Sequence, residues 1–241
     1  MKKRNLVSTI FTFLLILSVK AFAFRLEPMV ADFAPSGSGA IKTFRVDNDG
    51  KEKLGVKIQA FVRQIDENGK ETMVESKDFK IYPDQLSLSA SDSRAVRVTY
   101  TGPQNIDQER AYRIVASQLP VSFKEESQKT GIKFLYQYVA SAYVTSEKFY
   151  PKIEVESITK VDKDNIKIKI INKGQKHTLL NFVDIELQDT NGKRIKLDSK
   201  FVNKWEGENI LSGTRRTFKV KSQLNFDINK APPKIEIMEE K

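Results

Sequence analysis

Residues that could carry out catalysis are scarce in this chain of 241 residues. It contains no cysteine, which excludes cysteine nucleophiles and thiolate metal sites. Its single histidine, His177, lies in a polar, turn-like segment, so we expect a solvated loop residue rather than part of a histidine-cluster metal site. We find no paired catalytic carboxylates, nucleophile elbow, phosphate loop or dinucleotide fingerprint. The sequence therefore predicts a protein that is not an enzyme and that needs no metal or cofactor.

The stretch with the clearest binding chemistry is residues 131–145, which follows a polar, charged segment. Four large apolar side chains recur there at every second position and would share one face of a strand. They are Ile132, Phe134, Tyr136 and Tyr138. Two interpretations are open at this point. The stretch is either a buried central strand of a sandwich, or an edge strand that adds itself to the sheet of another protein through backbone hydrogen bonds and side-chain pockets.

The first residues carry the signature of export. A basic start at residues 2–4 is followed by an apolar run over residues 6–19 and by a small-x-small sequence at residues 21–23. This pattern is typical of a secretory signal peptide. The run is too short for a comfortable membrane span. We therefore expect residues 1–23 to be a signal peptide and the mature chain not to insert into a membrane.

The charge of the chain also limits its partners. The formal net charge is +10 at pH 7. The lysines are spread over both halves, which is typical of a solvated surface, and an exported protein is not expected to bind nucleic acid. Because no disulfide is available, the fold must be stabilised by its hydrophobic core alone, and the chain is long enough for that.

Short strands separated by turn residues follow one another along the mature chain. Leu54–Ile65 places alternate apolar residues on one face, and Ile166–Ile170 alternates apolar and charged residues as a half-buried strand does. No helical period is longer than two turns, and the pattern breaks near residues 146–151. The sequence therefore predicts an all-β chain with two immunoglobulin-like β-sandwich domains in tandem, over residues 24–147 and 148–241.

Several short motifs then point to a family by their order and spacing. They are Phe79-Lys-Ile-Tyr-Pro83, Arg94-Ala-Val-Arg-Val98, Asp107-Gln-Glu109, Gln118-Leu-Pro120, the stretch 131–145, Ile170-Ile-Asn-Lys-Gly174 and Leu211-Ser-Gly213. With these motifs the chain resembles the PapD-like family of periplasmic pilus-assembly chaperones, which consist of two immunoglobulin-like domains. The resemblance covers nearly all of the mature chain and is strongest over residues 41–145.

The resemblance implies a periplasmic chaperone that binds pilus or fimbrial subunits and delivers them to an outer-membrane usher. Subunits of this family lack their final strand, and the chaperone lends one of its own strands to fill the groove, which is called donor-strand complementation. On this chain the donor residues fall on Ile132, Phe134 and Tyr136, with Tyr138 as a fourth. An exposed apolar edge of this kind would make the free protein prone to self-association.

One departure from the family concerns the anchor for the terminal carboxylate of the subunit. Many members use an Arg in the first strand and a Lys near the end of the donor strand, whereas those places here hold Val30 and Ser141. This favours a divergent branch of the family. We expect the anchor on the neighbouring strand, at Arg110 or Arg113, because a guanidinium can bind a carboxylate through two hydrogen bonds. The alternative is that both are ordinary surface arginines.

The family also carries a buried ionic cluster between its two domains. Arg97 and Glu109 match two of its positions, and Asp227 is a looser match for the third. These three residues are therefore predicted to meet in the interdomain cleft and to fix the angle between the domains. The single tryptophan, Trp205, is predicted to be a packing anchor.

Two other classes of function compete with the chaperone. A structural surface protein, such as a pilin or adhesin with sandwich domains, is the alternative. A pilin would carry an alternating N-terminal extension, and the start of the mature chain, Phe24-Arg-Leu-Glu-Pro28, is too short and is interrupted by proline. A secreted hydrolase is disfavoured because the chain has one histidine and no catalytic motif.

Overall fold

The computed structural model describes residues 24–121, 134–198, 200–202 and 205–237. Within these ranges the chain is almost entirely β, as predicted. Two short 3-10 helices, Ser38–Ala40 and Leu180–Phe182, are the only helical segments of the described residues. No helix in this part of the chain has the length and apolar character needed to cross a membrane.

Eighteen strands lie within the described residues. The first ten are β1 (Phe24–Glu27), β2 (Val30–Phe33), β3 (Ile41–Asn48), β4 (Leu54–Ile65), β5 (Glu71–Glu75), β6 (Phe79–Tyr82), β7 (Gln85–Leu88), β8 (Ser93–Tyr100), β9 (Arg110–Gln118) and β10 (Gln137–Val144). The last eight are β11 (Ile153–Lys160), β12 (Asn165–Asn172), β13 (Thr178–Leu179), β14 (Val183–Gln188), β15 (Arg194–Leu197), β16 (Asn209–Ile210), β17 (Arg215–Lys221) and β18 (Lys234–Ile237).

The first ten strands form a sandwich of two sheets. One sheet has the order β1-β3-β8-β6, and the other has the order β2-β10-β9-β4-β5, with β7 also paired to β4. The chain changes sheets between β1 and β2, where Pro28 lacks the amide that would continue the pairing. The inward faces of both sheets enclose one core, which contains Phe24, Phe33 and Tyr112.

The last eight strands enclose a second core. Their sheets have the orders β11-β12-β17, β15-β14-β18 and β13-β16. Trp205 is buried in this core and donates from Nε1 to the carbonyl oxygen of Leu180 at 2.9 Å, which confirms its predicted role as a packing anchor. The two cores separate between Val144 and Ile153, while the boundary between residues 147 and 148 stays a prediction.

The long strand predicted over residues 131–145 is shorter in the structure. Residues 131–133 lie outside the described residues, and β10 begins only at Gln137. On the N-terminal side of β10, backbone pairing with β9 stops at the hydrogen bond from the Gln118 amide to the Tyr136 carbonyl oxygen, at 2.9 Å. β9 ends at this point because Pro120 follows and cannot donate to a ladder.

β10 has different neighbours at its two ends. Residues 141–144 lie between β9, which runs antiparallel, and β2, which runs parallel. Residues 137–140 have β9 as their only partner strand among the described residues. We call residues 141–144 the paired end of β10. We call residues 137–140, together with residues 134–136 that precede the strand, the open end.

Candidate functional site

The open end of β10 exposes large apolar side chains. The exposed fractions of Phe134, Leu135 and Tyr136 are 71%, 53% and 38%. Tyr138 is half-buried, packs on the first core and meets Phe24 edge to face, with 5.0 Å between the ring centroids. Alternate residues of an extended chain share a face, so Tyr136 and Phe134 continue the face of Tyr138 away from the core. Ile132, the remaining predicted donor residue, lies outside the described residues.

The open end also leaves backbone groups without a neighbouring strand. The amide of Ser141 donates to the carbonyl oxygen of Met29 at 2.8 Å, where β2 begins. The amides of Val139 and Gln137 point to the same side, because alternate amides of a strand share a direction. No described strand lies beside them. Proteins normally blunt such edges with charges, prolines or covering loops, so an apolar edge of this kind indicates a binding surface.

Val30 and Ser141, which are expected from the sequence at the positions of the basic pair, lie side by side. Ser141 of β10 and Val30 of β2 are register partners in the parallel pairing, so their side chains share one face of the sheet. Val30 is exposed. This adjacency places both residues where the open and paired ends of β10 meet.

Arg113 adds a positive charge next to Ser141. It lies opposite Ser141 in the register of β9 and β10, and its Nη1 donates to the Ser141 hydroxyl oxygen at 2.6 Å. Its Nε and Nη2 donate to the two carboxylate oxygens of Glu71 on β5, at 2.7 and 2.6 Å. Arg63 on β4 donates to the same carboxylate from Nε at 2.9 Å. We call Arg63, Glu71, Arg113 and Ser141 the arginine cluster.

The arginine cluster is shielded from solvent and carries a net positive charge. The side chains of Arg63 and Arg113 are 8% and 16% exposed, and that of Glu71 is 27% exposed. Burial acts to raise the pKa of the Glu71 carboxyl, but the hydrogen bonds from Arg113 and Arg63 and the two positive charges outweigh it and lower the pKa. Glu71 is therefore ionised at neutral pH, and the cluster holds two cations against one anion.

Arg63 and Glu71 were not predicted as site residues from the sequence. They flank the turn at residues 66–69, and the pairing of β4 with β5 sets Ile65 opposite Glu71 and Arg63 opposite Met73. Arg63 and Glu71 are therefore diagonal neighbours on one face of the hairpin. Opposite charges on the two sides of a short hairpin turn, two register positions apart, were the available signal.

Arg110, the other predicted anchor, lies on the opposite face of β9. It lies three positions before Arg113, an odd number, so the two side chains of one strand point in opposite directions. Its Nη1 lies 3.9 Å from the carboxylate of Asp78, which also accepts a hydrogen bond from the Tyr112 hydroxyl at 2.7 Å. Burial and this hydrogen bond raise the pKa of Tyr112, so the phenol stays protonated. The structure brings Arg113, and not Arg110, to Ser141.

The predicted interdomain cluster of Arg97, Glu109 and Asp227 is not formed. Arg97 is exposed on β8, because its neighbours Val96 and Val98 fill the first core and alternation turns Arg97 outward. Asp227 is near Lys230, with 3.7 Å between the carboxylate and Nζ. Neither has an ion pair with Glu109 in the described part of the chain. Sequence spacing could not reveal this, because Arg97 lies on β8 whereas Glu109 and Asp227 lie in segments outside the strands.

Glu109 is buried, and its partner is His177. One carboxylate oxygen of Glu109 accepts the backbone amide of His177 at 3.0 Å and lies 2.6 Å from its Nδ1. The imidazole ring stacks on Tyr143 of β10, with 3.7 Å between the ring centroids. The prediction of a solvated loop histidine is therefore wrong: the side chain is 14% exposed. Its partners lie far away in the sequence, so no local signal could have found them.

Tyr143 links the arginine cluster to the second sandwich. Its hydroxyl oxygen accepts from Nη1 of Arg63 at 3.0 Å and from Nδ2 of Asn209 at 2.9 Å. The hairpin that carries Glu71 also reaches that sandwich, since the amide of Thr217 donates to the carbonyl oxygen of Glu67 at 2.6 Å. Both domains therefore contribute to the surroundings of the cluster.

The first sandwich matches a known protein family. Residues 36–140 match the family model of the PapD N-terminal domain, described as a pili and flagellar-assembly chaperone. This region is a PapD-type chaperone domain. The match ends inside β10, at the last residue of the open end. It confirms the predicted resemblance to the PapD-like chaperones, which are not enzymes. No curated protein sequence matches the chain.

Solved structures share the fold over both domains. The class 5 fimbriae chaperone CfaA matches with a TM-score of 0.57 and 19% identity, over 91% of this chain and all (100%) of that one. A CsuC–CsuE chaperone–tip adhesion subunit complex from archaic Csu pili of Acinetobacter baumannii matches with a TM-score of 0.56 and 16% identity, over 81% and 86% of the two chains. A Salmonella enterica SafA pilin–SafB chaperone complex gives 0.56 and 11%, over 92% and 99%. At these identities the likeness shows the two-domain fold.

Proposed function

We propose that the protein is a periplasmic chaperone that binds pilus or fimbrial subunits by donor-strand complementation and delivers them to an outer-membrane usher. The observation that carries this proposal is the open end of β10, a strand edge without a described partner that exposes Phe134 and Tyr136. The PapD-type domain supports it. A pilin or adhesin, the alternative function, is not favoured by any feature of the described residues.

A subunit strand would bind along the open end by adding to the sheet. Backbone carbonyl oxygens of the subunit strand would accept hydrogen bonds from the amides of Val139 and Gln137. The apolar groove of the subunit would accept the side chains of Tyr136 and Phe134. Ile132 is the further donor residue of the proposal. Leu135 alternates with these side chains and faces the other way, so it is not expected to enter the groove.

The terminal carboxylate of the subunit is proposed to bind at Arg113. This guanidinium is hydrogen-bonded to Ser141, whose register partner on β2 is Val30; these are the two positions where the resembled family carries its basic pair. The arginine cluster has one positive charge in excess, and its side chains are shielded from solvent, which strengthens the attraction to an anion. Arg63 contributes the second positive charge and is held in place by Tyr143.

The test compares two variants in the open end. The mature protein is isolated from the periplasm, and the proteins that co-purify with it are identified and quantified. Phe134→Ala combined with Tyr136→Ala should nearly abolish co-purification of a pilus subunit, because each truncation of a buried apolar side chain costs roughly 2–5 kcal/mol. Leu135→Ala, equally apolar but on the other face, is the matched control and should retain the subunit.

Both variants should keep the melting temperature of the wild type, because these side chains are exposed in the free protein. A large drop in melting temperature for the double variant would mean that the open end is part of the core. Undiminished capture of the subunit by the double variant would rule out donor-strand binding at this edge.

A further inference from the structure

Glu71 binds Arg113 in the way that an external carboxylate would. Its two oxygens accept hydrogen bonds from Nε and Nη2 of the same guanidinium, at 2.7 and 2.6 Å. This parallel pair of bonds is the arrangement by which arginine recognises a free carboxylate. The third nitrogen of the guanidinium, Nη1, donates to the Ser141 hydroxyl oxygen. The best carboxylate-binding edge of Arg113 is therefore taken by a residue of the same chain.

The arginine cluster needs an anion whether or not a subunit is bound. Arg63 and Arg113 are both shielded from solvent, and leaving a shielded charge without a partner is strongly destabilising. Glu71 is the only carboxylate that the structure pairs with either guanidinium among the described residues. Its negative charge meets this need in the free protein.

Glu71 is placed where it can move away without disturbing the core. β5 is the outermost strand of its sheet, and the other four residues of the strand are exposed. None of the residues of β5 belongs to the first core. The far side of the hairpin is held by the second sandwich through Glu67. A rotation of the Glu71 side chain toward solvent would therefore release Arg113 and leave the fold intact.

We propose that Glu71 is an internal stand-in for the terminal carboxylate of the subunit: it occupies Arg113 in the free protein and yields this place when a subunit binds. The proposal rests on the proposed function of Arg113 as the anchor. Glu71 keeps the anchor paired between binding events and competes with the subunit for it. The competition lowers the affinity for the subunit and thereby favours its later release.

A titration with formate tests the stand-in role without any subunit. The protein variants are titrated at constant ionic strength with chloride as the balancing salt. Nuclear magnetic resonance follows the Nε–H resonance of Arg113, and that of Arg63 in the variant that lacks Arg113. Glu71→Ala should bind formate at least tenfold more tightly than the wild type, because the competing carboxylate is gone. Glu71→Gln, which keeps the shape and removes the charge, should change in the same direction and covers the case in which the alanine variant does not fold.

Two controls isolate the effect. Glu75 lies on the same strand as Glu71, but its carboxylate accepts a hydrogen bond from Gln59 rather than from an arginine. Glu75→Ala should therefore not change formate binding. Adding Arg113→Ala to Glu71→Gln should remove the gain. Glu71 variants that bind formate no better than the wild type would overturn the proposal, since Glu71 would then not compete for Arg113. Failure of the proposed function has a separate readout: the Phe134 and Tyr136 double variant would still capture the subunit as well as the wild type does.

Discussion

The paired end and the open end of β10 differ in how deeply their side chains are buried. At the paired end, Ala142 and Val144 are completely buried between two partner strands. At the open end, Phe134 and Leu135 are larger and more apolar, yet they are exposed. The exposure of Phe134 and Leu135 therefore reflects the lack of neighbouring strands rather than the apolar character of their side chains. One end holds the sandwich together, and the other offers an edge for another strand.

The strongest test of this contrast introduces the same charge at each end. Ala142→Asp places a carboxylate without a partner in the first core, which should cost several kcal/mol and prevent stable folding. Leu135→Asp places it in solvent and should leave the melting temperature unchanged. Circular dichroism melts of the two purified variants measure this. Equal destabilisation by both would show that the open end is buried as well.

Arg113 lies where the two ends meet, and its replacement should affect binding rather than folding. Arg113→Ala should weaken subunit capture about tenfold or more, because a hydrogen bond to a charged group is worth roughly 1.5–3 kcal/mol. Arg110→Ala, on the other face of β9, should leave capture unchanged. The affinity of each variant for the subunit that co-purifies with the wild type is the measurement. The reverse ranking of the two variants would move the anchor to the Asp78 side of the sheet.

The paired end also meets the second sandwich, through the stack of Tyr143 on His177. His177→Ala removes this stack and leaves the buried carboxylate of Glu109 without its side-chain partner, which should cost about 1–3 kcal/mol. We expect a lower melting temperature and a larger radius of gyration in solution scattering, because the contact between the domains is weakened. Gln175→Ala, with an exposed side chain beside the same contact, is the control. Unchanged scattering and stability in His177→Ala would show that the stack does not hold the domains.

The smallest effect expected is the pH dependence that comes from Glu71. Its folded-state pKa is held below the ordinary value of 4.5, so its ionised form stabilises the fold at and above that value. This contribution is lost as the pH falls from about 4.5 through the lowered pKa. The melting temperature of the wild type should therefore fall more steeply in this range than that of Glu71→Gln. Parallel curves for the two proteins would contradict an ionised, arginine-bound Glu71.

Local patterns in the sequence were enough to predict several features. Alternation with a period of two and the density of turn residues predict an all-β chain, because both depend on neighbouring residues alone. The same alternation selects Phe134, Tyr136 and Tyr138 as one face. The motif order led to the PapD-like family, which residues 36–140 confirm for the first domain. The resemblance also predicts Val30 and Ser141 at the positions of the basic pair; this stays a prediction, and the two residues are register partners.

Only the tertiary structure decided where β10 stops being paired and which charges meet. The start of β2 and the end of β9 set the limits of pairing, and neither is encoded in residues 131–145. Glu109 meets His177 rather than Arg97 because the two sandwiches pack together, which no spacing along the chain expresses. The register of β9 and β10 sets Arg113, not Arg110, opposite Ser141, and Glu71 reaches Arg113 across β4, the one strand between β5 and β9. Contacts between distant segments depend on how sheets align, and that alignment exists only in the folded chain.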